Sequence, residues 1–277
     1  MLFSKRIMFV IAGVFCTALI LAVTMSASAA PPSSDAAYKA ATDTDPHLPL
    51  TSYQQKTLAQ KKQSVGNVVS GTASAATVSA GSSAAAAALT SDSLSADQNP
   101  QKTSYWCGPA SVNEALGQMG KWFTQAQLAQ ELGTTTAGTA WSGGPTRTGF
   151  PVPDVMNAHQ SRNYYIPYPV SVSPSSTEVS NYKASLVYNI STVRAPLIGD
   201  AWEVPGGQYH LVGHPDNRTI FHWFDIRGYT GSGANTMYED SVHGAEDVIG
   251  WASGVPAYST LPSTAIVTIV GGRGYVW

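Results

Sequence analysis

Two hydrophobic patterns divide the chain after residue 96. Apolar residues first recur every three or four positions, the spacing of one helix face, over segments 107–119, 124–132, 152–159 and 177–192. From Pro196 onward, short runs of alternating or continuous apolar residues are typical of strands, at 197–199, 208–213, 220–229, 236–241 and 265–270. Helices followed by strands predict an α+β domain, with N-terminal helices packed on a mostly antiparallel sheet.

Local signals fix two of the predicted helix boundaries. Proline is tolerated in the first turn of a helix, so Pro109 requires the first helix to begin near Cys107. Thr124 and Gln127 have the spacing of a capping box, and Gly133 is a typical residue just past a helix end. The first two helices are therefore predicted with defined starts.

The first 29 residues have the pattern of a secretory signal peptide. Lys5 and Arg6 precede an almost wholly apolar stretch over 7–23, and the small residues 27–29 end it. We expect cleavage after Ala29 or Ala30 and a secreted protein, with association with the cell wall as an option. An uncleaved membrane anchor is the alternative, since the stretch is near the lower limit for spanning a bilayer. After cleavage, no stable membrane insertion is expected.

Residues 30–95 differ in composition from the rest of the chain. They are rich in Ala, Ser, Thr and Gln and contain no Trp, Phe, Cys, Ile or Met. Such a segment buries little apolar surface, so we interpret it as a low-complexity linker or a removable pro-segment, with a weak helix over 53–69. All seven tryptophans lie at or after Trp106, which places the compact domain at 96–277.

The net charge of −2 argues against a nucleic-acid partner, because it offers no basic excess to neutralise phosphates. Cysteine usage is more informative. The chain has two cysteines, and removal of the signal peptide removes Cys16 and leaves Cys107 as a single exported thiol. The free N–H groups and the dipole at a helix start favour the thiolate form. Gln101 lies six residues earlier, where its amide could bind an oxyanion formed at the sulfur.

A thiol nucleophile needs a general base, and His210 is the first candidate. It lies within the predicted strand 208–213, which turn residues connect to the strand 220–229 as a hairpin. In one register of this hairpin His210 faces Trp223, and Asp225 lies one diagonal step away on the same face. A shift of one residue would separate them, so the arrangement depends on the register.

Other side chains remain as alternatives. His222 and His214 are rival bases, and Asp240, at the end of the following strand, is a rival acid. Alternation places His222 on the same strand face as Phe224 and Ile226, which favours a histidine satisfied within the core.

Several motifs together resemble a known family. They are Gln101-x5-Cys107-Gly108-Pro109-Ala110, Gln127-Leu128-Ala129, Ala195-Pro196-Leu197-Ile198, Tyr209-His210-Leu211-Val212-Gly213-His214 and Phe224-Asp225. Over about 98–230 the chain is similar to papain-like cysteine peptidases related to the bacteriocin-leader-processing (double-glycine) peptidases. The resemblance implies a papain-like α+β fold, with Cys107 as nucleophile, His210 as general base, Asp225 as orienting acid and Gln101 as oxyanion donor.

We therefore expect a secreted cysteine peptidase that acts on a peptide or protein. No cofactor or metal is expected, because Gly213 and Pro215 argue against a helix that would pair His210 with His214. Two alternatives use the same scaffold: a cell-wall amidase or acyltransferase, and a non-catalytic binding domain.

Overall fold

The structure, a computed structural model, describes residues 35–42, 45–75 and 90–277. The predicted signal peptide and Cys16 lie outside these residues. Seven α-helices of the described residues are considered below: α1 Asp35–Thr42, α2 Ser52–Ala75, α3 Cys107–Gln118, α4 Gln125–Leu132, α5 Pro151–His159, α6 Ser176–Val187 and α7 Ser263–Ile269. A π-helical turn over Tyr188–Val193 continues α6, and a short 3₁₀ turn over Ala252–Gly254 precedes α7. The strands are β1 Asp92–Ser93, β2 Pro167–Pro169, β3 Leu197–Glu203, β4 Ile220–Thr230, β5 Asn235–Glu239, β6 Tyr258–Pro262 and β7 Gly274–Val276.

The strands of the described residues form one antiparallel sheet. Its order is β2-β7-β3-β4-β5-β6, and β1 pairs with β4 beside this path. The long strand β4 lies at the centre, with Trp223 opposite Asp200 of β3 and Asp225 opposite Glu239 of β5. The predicted α+β class with a mostly antiparallel sheet is confirmed.

Helix starts follow the local signals in the sequence. The Thr124 side chain accepts a hydrogen bond from the Gln127 N–H, and Gly133 ends α4 at a φ of 64°. The side chain of Gln127 bonds to Glu131 and not back to the cap, so only half of the predicted capping box forms. The four helices predicted after residue 96 are all present.

Two predicted strands are wrong. Residues 208–213 are irregular, because their amides bond to side chains: Leu211 N–H donates to Glu203 Oε1, at 2.5 Å, and Val212 N–H donates to the Tyr238 hydroxyl, at 2.8 Å. Gly213 has a φ of 84°, which continues the turn and excludes an extended strand there. The expected hairpin with β4 therefore does not exist, and β3 takes the place beside β4.

The second wrong strand is 265–270, which is the helix α7. Its short apolar run contains Ala265, Ile266, Val267 and Ile269, all buried. A run of this length does not distinguish a buried strand from a buried helix. Here the run is buried on more than one side of the helix.

Apolar side chains cover both faces of the sheet. On one face, Val112 and Leu116 of α3 share a core with Ile198, Trp223 and Val276. On the other face, a second core forms between the sheet and helices α6 and α7, from Tyr182, Leu186, Ile266, Leu197, Phe224 and Ile226. The start of α3 is thereby fixed against the sheet.

The described part of 30–95 is ordered against the domain. The weak helix predicted over 53–69 is present as α2, and β1 pairs with the central strand β4. The described residues all belong to one compact unit. The interpretation of 30–95 as a linker or pro-segment stays a prediction. None of the helices in the described ranges is both long and apolar enough to cross a bilayer.

Candidate active site

Cys107 is the first residue of α3 and lines a cleft of about 570 Å³. Its thiol is free and mostly buried. The neighbouring Gly108 packs so closely on Thr139 that a Cβ there would lie 2.3 Å from the Thr139 hydroxyl oxygen, so a side chain would displace this wall. The position joins a sulfur atom, the positive end of a helix dipole and an open cleft, as a thiol nucleophile requires.

The histidine beside Cys107 is His222 of β4. It lies next to Cys107, and its Nε2 lies 3.0 Å from Asp240 Oδ1. Burial alone would lower the pKa of His222, but Asp240 and Cys107 raise it well above its ordinary value. An imidazolium is therefore stabilised next to the thiol.

Asp240 directly follows β5 and holds two histidines at once. Its Oδ1 faces His222 Nε2, its Oδ2 lies 3.0 Å from His214 Nε2, and the Val242 N–H also donates to Oδ1. Burial would raise the pKa of this carboxyl, but His222 and His214 hold it well below its usual range. Asp240 is therefore ionised and fixes the orientation of the His222 ring.

His214 extends the network to Glu203 at the end of β3. Its Nδ1 lies 2.8 Å from Glu203 Oε2 while its Nε2 faces Asp240, so both ring nitrogens point at carboxylates. Burial opposes its protonation, but Asp240 and Glu203 together raise the pKa of His214. A buried cation between two buried anions satisfies all three groups.

His210 is not brought to Cys107. Its Nδ1 lies 3.7 Å from Glu203 Oε2, and Glu203 raises the pKa of His210. The sequence reasoning placed His210 in a hairpin with β4, and the absence of that hairpin removes the basis for its role as the base. His222 occupies the position next to the thiol instead.

Asp225 is not brought to Cys107 either. It accepts a hydrogen bond from Gln118, at 2.6 Å, near the opposite end of α3. Burial and the neighbouring Glu239 raise the pKa of Asp225 well above its ordinary value, which keeps it neutral. A neutral carboxyl beside Gln118 does not orient an imidazolium at Cys107, and the carboxylate that contacts His222 is Asp240.

Gln101 lies at the edge of the network. Its backbone N–H donates to the Ser241 carbonyl, and the Ser241 hydroxyl donates to its Oε1 at 3.3 Å. Its Nε2 donates to the Thr103 carbonyl at 2.8 Å. The residue before Ser241 is Asp240, so Gln101 and the acid are held by one short segment.

A local signal for the β4–β5 hairpin is present in the sequence. Gly231 and Gly233 are both at positive φ in the tight turn between β4 and β5. A bulge between Ile226 and Gly228 shifts the register of this hairpin, so counting back from the turn does not by itself pair His222 with Asp240.

His214, His222 and Asp240 also bring potential metal-ligand atoms within 4.8 Å of one another. The facing nitrogen of each histidine is engaged with its own oxygen of Asp240. These atoms could hold a metal ion only by breaking both hydrogen bonds, and the network is complete without one.

The chain was compared with protein families, curated proteins and solved structures. A family model described as the Peptidase_C39 like family matches residues 93–256. The peptidase domain of Streptococcus ComA, a bi-functional ABC transporter involved in quorum sensing, is 13% identical, with a TM-score of 0.39 over 66% of this chain and 97% of that chain. The bromelain protease from Ananas comosus, in complex with the E64 inhibitor, is 15% identical, with a TM-score of 0.31 over 68% of this chain and 97% of that chain. No curated protein matches the chain in sequence.

Proposed function

Because the chain belongs to the Peptidase_C39-like family and is a cysteine peptidase, we propose that Cys107, His222 and Asp240 carry its chemistry. The observation that supports this assignment is that His222, whose Nε2 is held by ionised Asp240, lies next to the Cys107 thiol. This is the arrangement of nucleophile, base and orienting acid that acyl transfer requires.

The reaction then proceeds in two halves. The Cys107 thiolate attacks the scissile carbonyl carbon, and the imidazolium of His222 donates its proton to the leaving amine as the C–N bond breaks. Water attacks the resulting thioester with His222 as base, which releases the acid and restores the thiol. Asp240 keeps the ring in place and stabilises its positive charge in both halves.

The oxyanion formed in each half needs donors close to the sulfur. The Cys107 N–H, at the start of α3, and the Gln101 side-chain amide would supply them. An amide NH₂ carries two hydrogens, so Gln101 can donate one to Thr103 and offer the other to substrate. Removal of such a donor typically slows the reaction about a hundredfold or more.

The sequence supports a secreted enzyme. The signal-peptide pattern over 1–29 and the single exported thiol favour hydrolysis of peptide bonds outside the cell. The substrate class is a peptide or protein, and no residue of the network requires a cofactor.

The test is hydrolysis of a peptide library by the wild type, Cys107→Ala and Gln101→Ala, read by mass spectrometry. The wild type should release new termini, Cys107→Ala should release none, and Gln101→Ala should be slower with unchanged cleavage sites. Activity that survives in Cys107→Ala would overturn the proposal. Release of fragments from peptidoglycan, with no cleavage of peptides, would favour an amidase on the same site.

A further inference from the structure

A short N-terminal segment lies on the wall of the catalytic cleft. Residues 45–50, between α1 and α2, are called the strap here. The Ser142 hydroxyl donates to the Pro46 carbonyl, and the Leu48 N–H donates to the same hydroxyl oxygen. A Cβ at Gly143 would lie 2.4 Å from the Pro46 ring, so this wall accepts the strap because it lacks a side chain there.

The strap is anchored on both sides. Before it, the Lys39 ammonium of α1 donates to the carbonyls of Thr268, Ile269 and Gly271. After it, the Lys61 ammonium of α2 donates to Asn163 Oδ1 and lies 4.5 Å from the Trp277 ring centroid. Two buried ammonium groups hold the segment against the domain, so its position on the cleft is defined.

One residue of the strap enters the cleft. Asp45 lines it together with Cys107, and its Oδ2 lies 2.5 Å from Nη1 of Arg273. The Arg273 guanidinium is held over the rings of Trp202, at 4.8 Å, and Phe221, at 5.0 Å. Arg273 is therefore a fixed cation in the catalytic cleft, and a carboxylate is its partner.

The neighbouring acid does not neutralise this cation. Asp200 also lines the cleft. Burial raises the pKa of Asp200 to about 8, although the positive charges of Arg273, His222 and Lys39 lower it. Asp200 is mostly protonated at neutral pH and therefore does not compete with Asp45 for Arg273.

We propose that Arg273 forms a subsite of the Cys107 cleft that binds a carboxylate of the peptide substrate, and that Asp45 of the strap occupies this subsite in the resting chain. The inference rests on the proposed function, since it assigns a substrate preference to the same cleft. A substrate carboxylate must displace Asp45, so the strap restrains the enzyme until an acidic peptide binds. The carboxylate is either a Glu or Asp side chain or a free C-terminus.

Electrophilic peptides test this without depending on catalysis. Bromoacetyl tripeptides that carry Glu or Gln, each as the C-terminal acid or amide, alkylate Cys107 of the full chain, and mass spectrometry gives the rates. The Glu/Gln ratio reports a side-chain carboxylate, and the acid/amide ratio reports a C-terminal one. The variants are Asp45→Asn and Arg273→Gln, with exposed Asp247→Asn and Arg218→Gln as matched controls.

Asp45→Asn should raise one of these ratios roughly three- to tenfold over wild type, because the competing carboxylate is gone. Arg273→Gln should lower the same ratio towards one, and Arg273→Lys should retain part of it. The two controls should match the wild type, and high salt should reduce the effect. Asp45→Asn leaves Arg273 in place, so it tests the proposal even where an Arg273 variant folds poorly.

Equal ratios in the wild type, Asp45→Asn and Arg273→Gln would overturn the subsite. This outcome is distinct from failure of the proposed function, which Cys107→Ala and the hydrolysis assay detect. A carboxylate preference that persists in Arg273→Gln would also contradict the proposal, because another cation would then be responsible.

Discussion

At the scale of single residues, partners decide the role of each ionisable group. Asp240 and Asp225 are both buried carboxyls, but Asp240 faces two histidines and is ionised, whereas Asp225 faces Glu239 and is neutral. His222 contacts the thiol, and His210 contacts only an outer carboxylate. Residue type is therefore a weak guide to function until the neighbours are known.

Paired substitutions of the two acids follow from this contrast. Asp240→Asn should lower kcat/KM for peptide hydrolysis on the order of a hundredfold, because the ring of His222 loses its orienting charge. Asp225→Asn replaces a neutral carboxyl by a neutral amide, so it should retain activity and stay within about 1 kcal/mol of wild-type stability at pH 7. Peptide cleavage rates and urea unfolding measure both effects. A larger loss of activity in Asp225→Asn would contradict the assignment.

His214 should matter for stability. His214→Phe removes the cation between Glu203 and Asp240 and leaves two buried carboxylates facing an apolar ring. The expected loss is about 3–5 kcal/mol of unfolding free energy, measured by urea denaturation at pH 7. His210→Phe is the matched control and should cost much less, since its nearest carboxylate is 3.7 Å away. Equal losses of unfolding free energy in the two variants would contradict a stabilising role for His214 between Glu203 and Asp240.

The sequence predicts that Cys107 lies at a helix start, because that signal is local. Pro109 places the helix start, and the structure begins α3 at Cys107 as expected. The choice between His210 and His222 depended on which strands pair, and no local pattern fixes that pairing. The choice of acid depended on the choice of histidine, so the absence of the predicted hairpin changes both proposed assignments.

At the scale of elements, α3 separates two different electrostatic environments. Its first residue faces the ionised network, whereas Glu114 and Gln118 further along face Asp225, with Glu239 nearby. Burial and mutual repulsion raise the pKa of Glu114 and Asp225 well above their ordinary values. The helix thus has a charged end for chemistry and a neutral, hydrogen-bonded end for packing.

The neutral end should give the fold a pH dependence. Burial raises the pKa of Glu239 to about 7, whereas an exposed glutamate titrates near 4.5. Between these values the native state holds a proton that the unfolded state releases, so stability should fall as pH rises from about 4.5 to 7. Glu239→Gln should flatten this slope, by up to about 3 kcal/mol at pH 7.

Urea unfolding at pH 5 and pH 7.5 checks this expectation. The exposed substitution Glu246→Gln is the control and should keep the wild-type slope. A wild-type stability that rises with pH over this range, or a slope that Glu239→Gln leaves unchanged, would contradict it.

Helices were easier to predict than strands for a physical reason. Caps such as Thr124 and Gly133 act over one turn, so the chain around them carries the signal. Residues 208–213 have an apolar pattern, but their amides find the side chains of Glu203 and Tyr238, which lie far along the chain. The strand prediction was wrong because these amides donate to side chains and not to the backbone of a neighbouring strand.

At the scale of the whole molecule, the N-terminal part of the described chain is fastened to the domain by buried charges. Burial lowers the pKa of Lys39 to about 8 and that of Lys61 to about 7. Each ammonium is enclosed by carbonyl oxygens or an aromatic ring of the domain. The composition of this segment indicated too little apolar surface for packing. The contacts that attach it to the domain are made by lysines, which a count of apolar residues does not include.

Lys39→Met tests this attachment. The variant keeps an apolar stem but removes the donor to three carbonyls at and just beyond the end of α7. Amide exchange in α1 should become faster, while the central strands keep their protection. The exposed Lys56→Met is the control and should leave α1 unchanged. Faster exchange throughout the sheet would instead mean that α1 is integral to the domain core.

The central claim is that His222, and not His210, activates Cys107. The most direct measurement is the rate of Cys107 alkylation by iodoacetamide from pH 5 to 10 in wild type, His222→Gln and His210→Gln. We predict fast alkylation of the wild type and His210→Gln below pH 7. His222→Gln should react as an ordinary thiol, with a rate that rises around pH 8.5. Slow alkylation of the wild type below pH 7 would contradict the account. So would a loss of fast alkylation in His210→Gln that does not occur in His222→Gln.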